Sequence, residues 1–457
     1  MIDRDEPRFA EASREMRQRN DYVVPYFNGK YRFDKPPLTY WAQIASSAVF
    51  GENDFAARFP SVIAAALTTI CLFAWGSQLG NTRLGWWSAI MFALCLQTFV
   101  HAKAAVADMW LVLFMTMAHW AGWKLLQTGK TPNTERQSTG VPWLWWFLFY
   151  CSLALAFLAK GPIGLTPILT VLVFAFASGR WETLRRFAFG RGLLLLIAIV
   201  ALWGVPAYLR TNGEFLRVGI GRHVIGRSVG AMEGHGSSSL LIYVALLPFY
   251  FVTVFLSFFP WSVKLPWLTR QLWKDRDGLD VYLLCGIGVV VGVFTLVATK
   301  LPHYTLPAFP LLALLMARHC IQTRFAIGKI AITTGAALLL VAAILPPLIA
   351  DKFPAYALFQ KSENLIQPDM PFGAVDYQEP SLVWYFRTRT DGFLSPLRKN
   401  GASAFMSQPG PRFAIVPTSL APSVFGDQLD RWKTVSVHGF NIAKGRKVDL
   451  TLVLKPE

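Results

Sequence analysis

Long apolar runs alternate with short polar breaks over most of this chain. A bilayer core calls for runs of roughly 17–25 apolar residues. On that measure the pattern predicts about ten transmembrane helices, at 60–79, 86–100, 109–126, 143–159, 162–178, 192–209, 240–259, 280–299, 303–317 and 328–349. The runs 86–100 and 303–317 are short. Pro37–Phe50 is apolar but too short and too polar to span, so it reads as a helix lying at the membrane interface. An amphipathic helix is expected from Pro7 to Arg19, with Pro7 in its first turn and acids near its start. After residue 350, Pro, Gly and charged residues mix with short β-rich runs at Ser381–Phe386, Phe413–Val416 and Val448–Leu454. The expected architecture is an all-α polytopic membrane protein with a small C-terminal soluble α/β domain. Residues 1–59 form a first extracytoplasmic loop with juxtamembrane helices, 60–350 the transmembrane domain, and 351–457 the soluble domain.

Composition and charge refine this picture. The 457 residues are 54% hydrophobic and 16% charged, and Lys and Arg outnumber Asp and Glu by 44 to 27. In so apolar a chain that excess points to basic cytoplasmic loops and an anionic ligand rather than to nucleic acid. Alternate loops carry Arg83; Lys124, Lys130 and Arg136; Arg180, Arg185, Arg186 and Arg191; Lys264, Arg270, Lys274 and Arg276; and Arg318, Arg324 and Lys329. These loops are assigned to the cytoplasm. The opposite side receives 1–59, the 101–108 turn, the Lys160 turn, the 210–239 loop, the 300–304 turn and the C-terminal segment. No signal-peptide pattern precedes the first loop, so the topology implies a transmembrane helix ahead of Met1. Cys71, Cys95, Cys151, Cys285 and Cys320 all lie in or beside apolar runs without CxxC spacing, and read as buried free thiols.

The candidate chemistry gathers on the outer side. Asp5 and Glu6 stand at the start of the first expected helix, as caps or as functional acids. Asp108 opens a strongly apolar span, where an acid needs a partner or a role. Arg8, Lys35, Arg58, Lys103, Lys160 and Lys300 break the rule that outer loops carry few cations. An anionic ligand explains that set, with Arg suited to bidentate phosphate contacts and Lys acting as a point charge. The 210–239 loop carries Arg210, Arg217, Arg222, His223, Arg227, Glu233 and His235, with Gly226, Gly230, Gly234 and Gly236. It reads as a mobile lid or as a plain connector. No P-loop, GxGxxG, HExxH or GxSxG is present. His303 and His223 are too isolated in sequence to argue for zinc. A transporter would place its ionisable groups nearer the midplane, often between repeated halves, and no repeat is visible.

Three stretches then become informative together: Asp5-Glu6-Pro7-Arg8-Phe9-Ala10-Glu11, Phe33-Asp34-Lys35-Pro36-Pro37-Leu38-Thr39-Tyr40-Trp41, and Phe55-Ala56-Ala57-Arg58-Phe59-Pro60. They resemble the first outer loop of the lipid A aminoarabinose transferases, in the protein O-mannosyltransferase-like superfamily with the GT-C fold. Ala159-Lys160-Gly161-Pro162 and Lys300-Leu301-Pro302-His303-Tyr304 fit the same family. The resemblance implies a GT-C type, inverting glycosyltransferase of the bacterial inner membrane with its active site on the periplasmic side. The donor would be a polyprenyl (undecaprenyl) phosphate sugar, 4-amino-4-deoxy-L-arabinose or a relative, and the acceptor lipid A phosphate. Transfer to a protein hydroxyl or to another envelope glycan is the alternative, and a lipid-linked sugar transporter a more distant one. The family implies Asp5 as the central acid, with Glu6 beside it and Asp108 as the second acid. Arg8, Lys35 and Lys160 would bind the donor phosphate, and Arg58, Lys300, His303 and Tyr304 would line the cavity. No cofactor is required. A divalent metal, if one binds, is expected at Asp34, where close relatives commonly carry Glu; Phe9 stands where many have Tyr.

Overall fold

The computed structural model describes residue 1 and residues 5–127, 142–226, 240–321, 327–442 and 444–456. In chain order its α-helices are α1 (Asp5–Gln18), α2 (Leu38–Phe50), α3 (Asp54–Leu79), α4 (Thr82–Ala93), α5 (Leu96–Ala102), α6 (Asp108–Gln127), α7 (Pro142–Lys160), α8 (Thr166–Ser178), α9 (Phe189–Arg210), α10 (Leu240–Ala245), α11 (Phe249–Ser257), α12 (Leu265–Lys274), α13 (Gly278–Leu296), α14 (Phe309–Cys320), α15 (Ile327–Ile349), α16 (Pro354–Ser362), α17 (Pro380–Phe386), α18 (Lys399–Ser407) and α19 (Ala421–Phe425). The strands are β1 (Tyr26–Phe27), β2 (Lys30–Tyr31), β3 (Phe372–Val375), β4 (Leu394–Leu397), β5 (Arg412–Pro417), β6 (Lys433–Asn441) and β7 (Arg446–Lys455). The chain divides into two units. One comprises Phe33–Thr39 and Arg58–Leu338; the other comprises Met1–Arg32, Tyr40–Ala57 and Leu339–Glu457.

Every run expected to span is helical. Five described helices, α3, α7, α9, α13 and α15, are long and apolar enough to cross a membrane. The count rises to seven when two bent pairs are each taken as one span: α4 with α5, turned by 69°, and Ile242–Ser257 with Trp261–Lys274, turned by 112°. The remaining three expected spans are more polar or shorter. Helix α6 carries Asp108, His119 and Lys124 within 20 residues. Pro162–Ser178 is a short apolar helix. The run 303–317 begins in a 3-10 turn, Pro302–Ala308, and continues as the 12-residue α14, because Pro307 interrupts the regular ladder and Pro310 fits only a helix's first turn. The large unit is held by pairwise helix packing: α6 lies along α7, α7 along α9, α8 along α13 and α4 along α14. Its core includes the fully buried Trp75, Phe149, Tyr150, Phe174, Tyr282 and Phe309. Gly192 on α9 permits the α7–α9 contact, since a Cβ there would lie 1.9 Å from the Tyr150 ring. All five cysteines are free.

The second unit joins both ends of the chain. Its five-stranded sheet runs β4-β3-β5-β7-β6, with β3 parallel to β4 and β5, and β7 antiparallel to β5 and β6. Strand β3 is buried at every position, as a central parallel strand covered on both faces should be. Ser381–Phe386, expected as a strand, is instead the buried helix α17. Pro380 at its first position favours a helix start, and a short apolar run does not by itself distinguish the two states. Phe413–Val416 and Val448–Leu454 are strands, in β5 and β7.

The expected Pro7–Arg19 helix is α1, but it is buried on almost all sides rather than amphipathic. It packs against α17. Its charged residues find partners there: Arg14 bonds Glu11 at 2.7 Å and lies over the Trp384 ring at 4.0 Å, while Arg387 pairs with Glu11 and Glu15. The β1–β2 hairpin turns at Asn28 and Gly29, whose φ values of 52° and 74° suit a two-residue turn. Asn28 also bonds the backbone of Leu394 on β4 in both directions, at 2.9 and 2.8 Å. Helix α2 exposes Trp41, Val49 and Phe50.

Candidate functional site

Within the large unit, a cavity of about 640 Å³ opens beside α9. Its apolar wall is drawn from α9, from Leu196 to Tyr208, and from Phe157, Phe215 and Leu216. At 1.5 Å per residue that stretch of α9 runs roughly 18 Å. Its charged lining is Asp34, Lys35 and Lys160. Asp34 and Lys35 sit in the turn before α2, where the Lys35 ammonium donates to the Asp34 carbonyl at 3.2 Å. Phe33 in the same turn packs edge-on against Phe215, which in turn meets Trp203. An apolar trough with cations in its lining can hold an amphiphile with an anionic head.

Lys160 ends α7 because Gly161 takes φ +82°, a conformation open to glycine, and Pro162 follows. Its ammonium bonds the Asp108 carboxylate at 2.5 Å and lies 5.3 Å from the Tyr304 ring centre. Asp108 is the first residue of α6, buried at 7% exposure. Burial pushes its carboxyl up, but the Lys160 ammonium, with His303 and His101, reverses this and holds it well below the usual carboxylate range. At neutral pH the Asp108 carboxyl is therefore ionised. Tyr304 lies tilted against Phe294, ring centres 4.6 Å apart, and His303 stands edge-on to it at 5.1 Å.

Sequence reasoning missed His101. It sits in the last turn of α5, its ring 5.0 Å from that of His303. His101, Asp108 and His303 each offer one donor atom, all within 4.8 Å of one another, and form the metal-capable group found among the described residues. Neither spacing nor motif announces it, because three separate segments contribute. Asp34 is not part of that group and lines the cavity instead.

The Lys300 ammonium is turned back onto the carbonyls of Phe294 (3.1 Å) and Thr295 at the end of α13, and burial pulls its pKa down. It thus caps a helix C-terminus. Arg58 is half-buried on α3. Arg58, Lys300, His303 and Tyr304 are not among the residues lining the cavity. Asp5, Glu6 and Arg8 belong to α1 of the other unit, where Asp5 is exposed, Glu6 buried and Arg8 half-buried. The stretch Leu216–Gly226, expected as mobile loop, is a π-helix. Apolar packing of Phe215 on Phe33 and Trp203 anchors its start. Arg227, Gly230, Glu233, Gly234, His235 and Gly236 lie outside the described residues, as do Lys130, Arg136 and Arg324.

Comparison with known proteins bears on this arrangement. Residues 34–204 match the family model described as dolichyl-phosphate-mannose-protein mannosyltransferase. An undecaprenyl phosphate-α-4-amino-4-deoxy-L-arabinose arabinosyl transferase from Sodalis glossinidius is 32% identical over 321 residues, 69% of this chain and 55% of that protein. One of the same description from Enterobacter sp. is 27% identical over 407 residues, 85% of this chain and 68% of that protein. The match thus spans little more than half of the Sodalis protein's length. Among solved structures, ArnT from Cupriavidus metallidurans bound to undecaprenyl phosphate superposes with a TM-score of 0.74 at 17% identity, over 99% of this chain and 94% of that one. Likeness in sequence and likeness in fold agree: this multi-pass membrane chain has the GT-C fold and, over 69% of its length, resembles an aminoarabinose transferase.

Proposed function

We propose that the chain is an inverting glycosyltransferase that moves a sugar from an undecaprenyl-type phosphate carrier to an envelope acceptor. The observation that carries this reading is the apolar cavity along α9 with Lys35 and Lys160 in its lining. A polyprenyl tail matches the apolar wall, and the carrier phosphate matches the cations. The sugar is 4-amino-4-deoxy-L-arabinose, as the names of the relatives suggest; the acceptor in this reading is a phosphate of lipid A. The reaction lies on the periplasmic side of the inner membrane.

In the transfer step an acceptor oxygen forms a bond to the anomeric carbon. The bond from that carbon to the carrier phosphate oxygen breaks, and the carrier phosphate leaves with the electron pair. Displacement in one step inverts the anomeric centre. Negative charge grows on the leaving phosphate, and Arg8, Lys35 and Lys160 stabilise it; preorganised charge of this kind is usually the largest catalytic contribution. A phosphate acceptor is already ionised and needs no base. Asp5 then positions groups and stabilises positive charge developing at the sugar, whereas for a hydroxyl acceptor it takes the proton. Asp108 holds Lys160 at 2.5 Å and so fixes where its charge stands. The chemistry calls on no redox or organic cofactor.

The test is transfer of radiolabelled sugar from a purified polyprenyl-phosphate donor to lipid A, by the full chain in lipid nanodiscs. Asp5→Asn and Lys35→Ala are each expected to lower the rate at least 100-fold. Normal rates in both variants would remove the site assignment. Mass analysis of lipid A and of envelope proteins from a deletion strain separates the lipid acceptor from a protein one.

A further inference from the structure

The geometry points to a binding site for a borderline transition-metal ion such as Zn²⁺, formed by His101, Asp108 and His303. The donor atoms of the three side chains lie within 4.8 Å of one another, and His303 Nε2 is 4.0 Å from an Asp108 carboxylate oxygen. An ion about 2.1 Å from each donor in tetrahedral geometry sets donors roughly 3.4 Å apart. The His303–Asp108 gap then closes by about 0.6 Å, within the reach of side-chain rotation. Two imidazoles and one carboxylate select Zn²⁺, Co²⁺ or Ni²⁺ over Mg²⁺ and Ca²⁺, which prefer all-oxygen shells.

The surroundings of His101 fit a ligand. Its Nδ1 is 2.9 Å from the Gln97 amide nitrogen, and Gln97 Oε1 is 3.0 Å from the Ser257 hydroxyl. Metal-bound imidazoles usually donate their other N–H to an oxygen. Ser257 can either donate or accept, so the Gln97 amide can turn over. Its oxygen then accepts from His101 Nδ1–H, the arrangement a metal-bound imidazole prefers. An ion here would share the Asp108 carboxylate with Lys160 and loosen that ion pair. If the proposed transfer reaction is correct, this frees the Lys160 ammonium for the carrier phosphate in the cavity it lines.

The experiment reads ion binding by the whole chain and does not depend on transfer. Chelator-stripped protein in nanodiscs is titrated with Co²⁺, whose d–d absorption reports tetrahedral nitrogen–oxygen ligation. One ion per chain is expected, and His101→Ala and His303→Ala should each weaken binding at least ten-fold. Gln97→Ala keeps all three ligands and should weaken it by about ten-fold through the outer shell alone. Lys160→Met should tighten it, because it removes the competing cation. Asp34→Ala should leave it unchanged. The absence of a stoichiometric ion overturns the proposal, as does an affinity that His101→Ala and His303→Ala leave intact.

Discussion

The Lys160–Asp108 pair offers the sharpest test, because two substitutions that each look damaging should largely forgive one another. The side chains are only 12% and 10% exposed, and they meet at 2.5 Å. Lys160→Met strands a buried carboxylate, and breaking a buried pair from one side costs about 3–5 kcal/mol. With His101 and His303 still nearby, the lower end applies, about 3 kcal/mol. Asp108→Asn leaves a flexible ammonium whose side chain already lines the cavity, where it can reach water, and costs about 1 kcal/mol. Independent effects would sum to about 4 kcal/mol in the double variant, whereas a coupled pair gives about 2 kcal/mol, a coupling of about 2 kcal/mol. The assay is reversible unfolding of the full chain by SDS in mixed micelles, followed by tryptophan fluorescence. Acid adds a check on the sign. In the wild type the Asp108 carboxyl is held down, so its contribution is present above 3.8 and is lost only as pH falls towards its lower folded value. In Lys160→Met the stranded carboxylate is relieved by protonation, so that variant's deficit shrinks as pH falls. A double variant whose loss equals the sum of the singles within about 0.5 kcal/mol would refute the idea that the pair acts as a unit.

Three further outcomes follow from local geometry. Gly192→Ala sets a Cβ 1.9 Å from the fully buried Tyr150 ring, and should destabilise the α7–α9 contact by about 2 kcal/mol in the same SDS titration. Gly204 lines the cavity, and a Cβ there meets nothing within 4 Å. Gly204→Trp should therefore fold normally yet raise the KM for a long-chain polyprenyl donor about ten-fold, while a short-chain donor keeps its KM; equal effects on both would exclude a tail in this trough. Glu15 has its pKa raised above 4.5, first by burial and then by Glu11, against the lowering effect of Arg387 and the Gly29 and Asn28 backbone. A raised acid penalises the fold when ionised, above its folded pKa, and the penalty fades as pH falls to 4.5. Glu15→Gln, which keeps an acceptor for the Gly29 N–H, should thus resist thermal unfolding better than wild type at pH 8 and equally at pH 4.5.

What the sequence revealed follows from what kinds of force write locally into a chain. Hydrophobic length is local, so every expected span appears as helix, and the expected β-rich runs 413–416 and 448–454 fall within β5 and β7. Chain breaks are local too: Gly161-Pro162 ends α7 where a charged residue is wanted. Long-range pairing is not local. Ser381–Phe386 is apolar enough for a strand, and only its packing against α1 and α16 accounts for a helix buried at every position. Likewise α1 has the acids and bases of a surface helix. They are buried because Arg387, more than 360 residues further along the chain, supplies the opposite charge to Glu11.

The same distinction governs the chemistry. Lys160 and Asp108 stood out singly, since each is a charge at the edge of an apolar run, and such positions are costly enough to need a reason. Their partnership across 52 residues could not be read from either run. His303 appeared isolated for a related cause: its neighbours in space come from α5 and α6, and His101 has no sequence signal beyond being polar at a helix end. Lys300 shows the converse error. By sequence it matches Lys160, a cation beside a Pro-containing turn, yet its ammonium closes the carbonyl end of α13. A cation at a helix terminus has two competing uses, and the decision rests on what else is there to receive it. Among the described residues Lys300 donates to two carbonyls, while Lys160 meets a buried carboxylate and also borders the cavity. Only the second arrangement leaves a charge that an anionic ligand can recruit.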